Sequence, residues 1–154
     1  MIDTVDIICL KPVHTVALAR FFARVASDPK SIHFHPHPFS DSEAEHICNY
    51  IGNDKYVGLL CGKEVFGYGM LRGWDEGFTV PSLGIYVAPD LRGTGAARLL
   101  MQYLHLIAKL SGATQVRLKV DRDNNTAYRL YKSMGYLFTD MHEPVAQLLG
   151  LVNL

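Results

Sequence analysis

The stretch LGIYVAPDLRGTGAA, residues 83–97, decides the fold of this 154-residue chain. It begins as an apolar run of strand length, is interrupted at Pro89, and continues through a turn with two glycines into the most regular helix pattern of the sequence. Glycine adopts positive φ without steric cost, and the free N–H groups at the start of a helix attract anions. The stretch predicts a strand, a turn and a helix. Its turn is suited to a phosphate group, and by itself it fits an ordinary connection equally well.

Two other phosphate-binding patterns are excluded by their spacing. A dinucleotide-binding turn needs G-x-G-x-x-G with an acidic residue about 20 positions further on, and a nucleoside-triphosphate loop needs Gly-Lys followed by Ser or Thr. Residues 92–97 read RGTGAA and satisfy neither pattern. A phosphate held by this turn therefore belongs to another kind of ligand.

Four helices are predicted from apolar spacing and capping residues. The first follows Pro12, and the third fills residues 95–110. The second begins with a capping box at residues 40–43 and is expected to end at Gly52, and residues 123–126 supply N-cap residues for the fourth. The side chains expected to face the core are Leu18, Phe21, Phe22 and Val25 in the first helix, Ala44, Ile47, Cys48 and Ile51 in the second, Leu100, Tyr103, Leu104, Ile107 and Leu110 in the third, and Ala127, Leu130, Tyr131 and Met134 in the fourth.

Strands are predicted between these helices. Their expected ranges are 4–10, 56–60, 65–72, 82–87, 115–120, 136–138 and 147–154. No internal repeat, low-complexity tract or linker divides the sequence. We therefore expect one α/β domain over residues 1–154, in which the helices cover a mixed sheet.

Composition and charge restrict the function. The chain is 49% hydrophobic and 19% charged, and its 15 basic and 15 acidic residues balance. A neutral chain has no electrostatic footprint for nucleic acid and no polybasic patch for a membrane, so we expect neither partner. Three cysteines without CxxC spacing favour neither a disulfide framework nor a zinc site. With no signal-peptide pattern and no long apolar run, we expect a cytoplasmic protein.

Two motifs resemble those of the GCN5-related N-acetyltransferase (GNAT) superfamily. Residues 92–97 match its R/Q-x-x-G-x-G/A signature. A second, downstream signature is similar to residues 124–136, and its matching positions are Asn124, Ala127, Leu130, Tyr131, Gly135 and Tyr136. The resemblance covers residues 56–138 well and the first 50 residues only in outline. It implies a central, mostly antiparallel mixed sheet of six to seven strands flanked by about four helices, and acetyl-CoA as co-substrate.

The resemblance also implies roles for individual residues. The pantetheine arm of acetyl-CoA is expected to pair with the backbone of residues 85–87, and Asn124 to contact the same arm from the opposite wall. Tyr131 matches the position of a tyrosine that protonates the departing thiolate. The residues implied in cofactor binding are Ile85, Tyr86, Val87, Arg92, Gly93, Thr94, Gly95, Ala96, Ala97 and Asn124.

The general base is not identified by the resemblance. Many relatives carry a glutamate early in the strand that precedes the phosphate-binding turn, but residues 79–82 read TVPS and contain no carboxylate. Asp75 and Glu76 in the preceding loop are candidates, although an Asp-Glu-Gly turn is also an ordinary solvated loop.

An unusual histidine segment, SIHFHPHPF, occupies residues 31–39. Two prolines are expected to hold it extended, so that alternate side chains point the same way toward an acceptor. We expect His33, His35, His37 and Phe34 to bind the acceptor, with His35 as the base. The alternatives are a structural loop and a metal site. No metal is expected, because no carboxylate or thiolate is spaced with these histidines.

The function that follows is acetyl transfer from acetyl-CoA to a primary amine, by direct transfer in a ternary complex. We expect a small-molecule acceptor such as an amino sugar, and a homodimer is compatible with the sequence. Two alternatives remain open: acetylation of protein N-termini or lysines, and an acyl-CoA-binding sensor module without turnover.

Overall fold

The computed structural model describes residues 4–140 and 146–154. Within them, the chain forms seven strands and four α-helices. In chain order these are β1 (Val5–Cys9), α1 (Thr15–Ser27), α2 (Asp41–Cys48), β2 (Lys55–Cys61), β3 (Glu64–Arg72), β4 (Ser82–Val87), α3 (Ala96–Leu110), β5 (Gln115–Asp121), α4 (Asn125–Ser133), β6 (Leu137–Asp140) and β7 (Gln147–Asn153). The strands form one sheet in the order β1-β2-β3-β4-β5-β7-β6. Only β4 and β5 pair in parallel, so the predicted mixed, mostly antiparallel sheet is confirmed.

Helices α1 and α2 cover one face of the sheet. Their predicted apolar residues, except Ile51, pack with strand residues such as Tyr68 and Tyr86 in one buried cluster. The four core residues predicted for α1 are each at most 1% exposed, as their spacing requires: Leu18, Phe21, Phe22 and Val25.

The second helix is shorter than predicted. Ser40 caps α2 by accepting a hydrogen bond from the Glu43 amide (3.1 Å), but the helix ends at Cys48. Ile51 is 99% exposed, so its predicted burial is wrong, and Gly52 lies beyond the helix. The Asn49 side chain donates to the Glu45 carbonyl (2.8 Å) and so satisfies one of the carbonyl groups at the end of the helix. The apolar pattern of the sequence continues past this end.

Helices α3 and α4 pack into a second cluster with the opposite face of the sheet. Helix α3 buries Leu100 and Leu104 as predicted, together with Met101 and Ala108. Leu110, predicted to face the core, is 79% exposed because it lies at the last position of the helix, past the sheet contact. No helix of residues 4–140 and 146–154 is long and apolar enough to cross a membrane.

Strands β4 and β5 diverge, and this divergence creates the site. They pair only at Ser82 and Arg117, with one further bond from the Arg117 amide to the Pro81 carbonyl (3.0 Å). Beyond this point β4 continues to Val87 with pairing to β3 alone. An opening therefore runs through the sheet between the two strands, and the backbone edge of β4 that faces β5 is unpaired there.

Candidate active site

The turn at residues 92–97 has the geometry of an anion site. Gly93 and Gly95 have φ of 75° and 91°, and nothing lies within 4 Å of a Cβ built on either residue, so glycine is needed here for its backbone conformation. The amides of Gly93, Gly95 and Ala97 have no acceptor among the described residues. These free N–H groups at the start of α3 fit a pyrophosphate.

Not every amide of this turn is free, although all six residues of the turn are implied in cofactor binding by the resemblance. The Arg92 amide donates to the Pro89 carbonyl (3.2 Å), and the Thr94 amide donates to the Leu91 carbonyl (3.4 Å). The Ala96 amide donates to the Thr94 hydroxyl oxygen (3.4 Å). These bonds hold the turn in shape and leave the alternate amides available.

The side chain of Arg92 lies in a network with Asp28 and Tyr86. Its Nη2 is 2.5 Å from the Asp28 carboxylate, which also accepts the hydroxyl hydrogen of Tyr86. These partners lower the pKa of Asp28 to about 2, with the Tyr86 hydrogen bond as the main cause. Burial and the Asp28 carboxylate raise the pKa of Tyr86 to about 12. The network fastens the end of α1 to β4 and to the turn.

A groove of about 420 Å³ lies between β4 and α4, here called the β4–α4 groove. The predicted cofactor residues that line it are Ile85, Tyr86, Val87, Arg92, Ala97 and Asn124. Asn124 caps α4, since its side-chain oxygen accepts from the Ala127 amide (3.3 Å). The two sequence motifs thus form opposite walls of one groove.

Tyr131 lies just inside this wall. It is 9% exposed. Its neighbour Leu130 lines the groove, and Tyr131 itself does not. Burial raises its pKa to about 12, so its hydroxyl stays protonated at neutral pH. The protonation state suits the predicted acid, and the role itself stays a prediction from the resemblance.

A second cavity of about 380 Å³, here called the β3–β5 pocket, opens on the α1 and α2 face of the sheet. It is lined by side chains from β3, β4 and β5, by the segment 33–36 and by the loop 73–78. Gly84 forms part of its wall, and a Cβ there would lie 2.6 Å from Met70 Cε, so the wall is closely packed.

The two cavities meet at His33 and Phe34, which line both. Along β4 the boundary between the two cavities falls between consecutive residues: Gly84 lines the pocket and Ile85 lines the groove. Phe34 stacks on Tyr86 with ring centroids 5.7 Å apart. A ligand that follows the free edge of β4 through the groove is therefore led to His33 and the pocket.

His33 is oriented by a pair of hydrogen bonds. Its Nδ1 lies 2.9 Å from Asp121 Oδ2, and the other oxygen of that carboxylate accepts from Gln147 Nε2 (2.8 Å). With the proton on Nδ1, which Asp121 accepts, Nε2 carries the free lone pair. Nε2 has no hydrogen-bond partner in the part of the chain that the structure describes. A base oriented in this way can take a proton from a ligand.

The other histidines of the segment do not share this arrangement. Residues Pro29–His33 form a 3-10 turn, so the predicted extended segment with side chains pointing one way is wrong. His35 lines the pocket, but its Nε2 donates to the neutral Ile32 carbonyl, whereas the carboxylate beside His33 can stabilise an imidazolium, which favours His33 over His35 as the base. His37 lines neither cavity.

His37 is part of the core instead. Its Nε2 pairs with the Tyr68 hydroxyl (2.9 Å), and its ring packs 5.3 Å from those of Phe22 and Phe39. Burial lowers its pKa, so the ring is held neutral. The predicted contact of His37 with an acceptor is therefore replaced by a structural contact.

The two candidate carboxylates of the loop, Asp75 and Glu76, also differ in whether they line a cavity. Asp75 accepts hydrogen bonds from Asn53 and Tyr50, which hold the pKa of Asp75 well below its usual range, and it lines neither cavity. Glu76 lines the pocket. Asp75 thus fixes the loop, and Glu76 faces the acceptor side.

The structure also brings carboxylates to His33, which the sequence did not indicate. Asp123 Oδ1 lies 3.7 Å from His33 Nδ1, and His33, Asp121 and Asp123 have ligand atoms within 4.8 Å of one another. The argument against a metal site from sequence spacing is therefore corrected. Asp123 is 84% exposed, and the shorter contact of His33 with Asp121 already forms a hydrogen bond without any ion.

An unpaired strand edge, a groove and a turn with free amides lie together at this site. The model of the acetyltransferase (GNAT) family matches residues 19–136. The chain therefore belongs to this family, and it is an acyltransferase of the class that transfers acetyl groups from acetyl-CoA to amines. No curated protein matches its sequence.

Solved structures show the same fold. The GNAT domain of S. lividans PAT is 16% identical, with a TM-score of 0.82 over 97% of this chain and 90% of that chain. A GNAT-family acetyltransferase from Streptococcus pneumoniae is 17% identical, with a TM-score of 0.80 over 97% and 99%. The ribosomal-protein-S5-alanine acetyltransferase from Vibrio fischeri is 10% identical, with a TM-score of 0.79 over 99% and 94%. At such identities the likeness concerns the fold alone.

Sequence reasoning missed Asp121, Gln147, Arg72 and Arg117 as site residues. Asp121 lies 88 positions from His33, so no local spacing relates them. One signal was present: Arg117 and Lys119 occupy the charged positions of a strand whose alternate residues are apolar, and this marks one face of β5 as polar inside a central strand.

Proposed function

We propose that this protein transfers the acetyl group of acetyl-CoA to the primary amine of a small molecule, in a ternary complex. One observation carries the proposal: two cavities beside the gap between β4 and β5 meet at a histidine that is oriented by a carboxylate. One cavity fits the coenzyme and the other the amine.

The residues of the β4–α4 groove fit acetyl-CoA. The free amides of Gly93, Gly95 and Ala97 bind the pyrophosphate, and the unpaired edge of β4 at residues 85–87 pairs with the amides of the pantetheine arm. When bound, acetyl-CoA supplies a thioester, and transfer of its acetyl group forms an N–C bond, breaks the C–S bond and releases coenzyme A as the thiol.

His33 acts as the general base. A lysine-like amine is protonated at neutral pH and becomes a nucleophile only after it loses a proton. His33 Nε2 accepts that proton at the junction of the two cavities, while Asp121 stabilises the imidazolium and Gln147 holds Asp121 in place. Tyr131 is proposed to protonate the departing thiolate, and replacement by phenylalanine tests this separately through kcat.

The size of the pocket supports a small acceptor, and an amino sugar remains our favoured class. A cavity of about 380 Å³ has the volume of a small-molecule site. Phe34 and Phe78 supply apolar surface to the wall of this pocket.

The test is acetyl-CoA-dependent thiol release with a panel of amino sugars, amino acids, polyamines and peptides with free N-termini, followed by mass spectrometry of the product. We expect turnover of at least one small amine and a product heavier by one acetyl group. Turnover confined to peptides would identify a protein acetyltransferase. Tight acetyl-CoA binding without turnover of any amine would identify a binding module and overturn the proposal.

A further inference from the structure

The β3–β5 pocket is strongly basic although the whole chain is neutral. Arg72, Arg117 and Lys119 line it, and Glu76 is the single carboxylate among its described lining residues. His33 and His35 also line this pocket and add hydrogen-bonding groups to it. A neutral chain has thus concentrated positive charge in the cavity assigned to the acceptor.

Strand register places these cations on one face. Ser82 pairs with Arg72 on β3 and with Arg117 on β5, so the three residues lie side by side across neighbouring strands. Opposed residues of paired strands point to the same face, and strands are about 4.8 Å apart, so the two arginine Cα atoms lie about 10 Å from each other. Lys119 follows Arg117 by two residues and therefore shares its face.

The arginines are held in place and still have donors to offer. Arg72 Nη1 donates to the Pro36 carbonyl (3.0 Å), which uses one of its five N–H groups. The Arg117 guanidinium lies 5.1 Å above the Phe78 ring centroid. Its Nε is buried with no acceptor in the described residues, so a buried donor there is left for a ligand.

We infer that the acceptor amine carries a carboxylate or a phosphate, which binds between Arg72 and Arg117 with Lys119 beside it. This inference rests on the proposed function and names its substrate class. Guanidinium groups bind both anions in a bidentate manner, and both arginines are only half-buried, so their remaining donors can be offered to a ligand. The amine end of the same molecule then reaches His33 at the junction with the groove. Polyamines are excluded as acceptors, because two arginines and a lysine repel a second ammonium group.

The test compares matched amines that differ only in the anion: glucosamine 6-phosphate with glucosamine, and free amino acids with their amides. We expect kcat/KM to be at least tenfold higher for the anionic member of one pair, and the pair that shows this distinguishes phosphate from carboxylate. Equal rates within both pairs would overturn the inference and leave the acetyltransferase function intact.

Variants assign the effect to the pocket. Arg117→Gln is expected to raise the KM of the preferred anionic amine about 10- to 100-fold, the range of a charge-assisted hydrogen bond, with the KM of acetyl-CoA unchanged. Lys119→Gln, at an exposed position, keeps the test valid if the first variant does not fold. Arg129→Gln, an exposed position on α4 that lines neither cavity, is the matched control. An equal KM change in the control and the pocket variants would contradict the assignment.

A binding measurement separates failure of the inference from failure of the function. If no amine is acetylated, the proposed function is overturned, and inorganic phosphate is titrated into the coenzyme A complex and followed by amide chemical shifts. Shifts at Arg72, Ser82 and Arg117 that disappear in Arg117→Gln would support the anion site. Absence of such shifts would overturn it.

Discussion

The β4–α4 groove and the β3–β5 pocket share His33 and Phe34, but they are built from the sequence in different ways. The groove takes its main walls from two short segments, residues 85–97 and 123–130, and is proposed to bind largely through backbone groups. The pocket takes side chains from segments spread between residues 33 and 147. A groove of the first kind leaves a local sequence signature, whereas a pocket of the second kind is visible only after folding.

Apart from removal of His33 itself, the largest expected effect is on the pocket side, at Asp121. Asp121→Asn should lower kcat about 10²-fold, because the donor Gln147 Nε2 holds the amide oxygen on its side, so that the amide NH2 faces His33 Nδ1, favours the wrong tautomer and stabilises no imidazolium. The KM of acetyl-CoA should not change, since Asp121 lines neither wall of the groove. Steady-state kinetics with both substrates measure this.

Asp123→Asn is the matched control for that prediction, since Asp123 is 84% exposed and 3.7 Å from His33. It should change kcat less than about twofold, because an exposed ion pair contributes little. Equal losses in both variants, together with inactivation by a chelator and recovery with a divalent metal, would show that the two carboxylates hold an ion.

The second prediction concerns Asp28, which joins the groove to the segment that carries His33. Asp28→Asn should lower the free energy of unfolding by about 2 kcal/mol at pH 7, since hydrogen bonds from Tyr86 and Arg92 to a charged group are lost. The folded-state pKa of about 2 lies below the ordinary 3.8, so the contribution is present above about pH 4 and is lost as the pH falls toward 2. Urea unfolding across this pH range measures it.

Asp90→Asn serves as the comparison for Asp28, because Asp90 also pairs with an arginine, Arg24, but on the exposed surface. We expect a loss below about 0.5 kcal/mol there. If both variants lose the same stability, or if Asp28→Asn keeps the acid dependence of the original chain, the Asp28 network does not hold these elements together.

The third prediction tests the backbone of the groove. Gly95→Ala should raise the KM of acetyl-CoA about tenfold, because a residue with a Cβ is strained at φ of 91° and the turn shifts to relieve that strain. Gly112→Ala carries a matched strain at φ of 90°, likewise with open space around its Cβ, at the far end of α3. Both variants should lose similar stability, and an equal rise of the KM in Gly112→Ala would refute the assignment of the turn.

The smallest expected effect is at His37, which the sequence grouped with His33. His37→Leu should lower the free energy of unfolding by about 1–2 kcal/mol, since the buried Tyr68 hydroxyl loses its partner. Neither kcat nor the acceptor KM should change. His46→Leu on the exposed face of α2 is the control. If His37→Leu raised the acceptor KM and left the stability unaltered, His37 would contact the acceptor and the structural assignment would be wrong.

Much of the fold was predictable because periodicity reports burial directly. The first helix, the seven strands and the strand-turn-helix at residues 83–97 follow from apolar spacing and glycine positions. The end of α2 did not, because Ile51 continues the apolar pattern while the chain already turns toward Asp54, whose carboxylate accepts from the Gly73 and Trp74 amides (3.0 and 2.9 Å). The end itself is satisfied by the Asn49 side chain, which donates to the Glu45 carbonyl, and apolar spacing does not report such a bond.

The candidate site divides in the same way. The turn and Asn124 were predicted, since they form motifs of fixed spacing, and both lie at the groove. The sequence did not predict which of the three histidines would act as the base. The 3-10 turn at Pro29–His33 removes the alternation of side-chain direction that an extended segment would have. The hydrogen bond between Asp121 and His33 forms because β5 packs beside this turn in the folded chain. His37 packs against aromatic rings instead.

The central claim is that His33 removes the proton of the acceptor amine where the two cavities meet. The most direct measurement is the pH dependence of kcat for His33→Gln against the original chain, with the KM of acetyl-CoA recorded at each pH. We predict a loss of kcat of about 10² to 10⁴-fold, disappearance of the acid limb of the profile, and an acetyl-CoA KM within about twofold. An unchanged kcat and an unchanged acid limb in a folded His33→Gln variant would contradict the account.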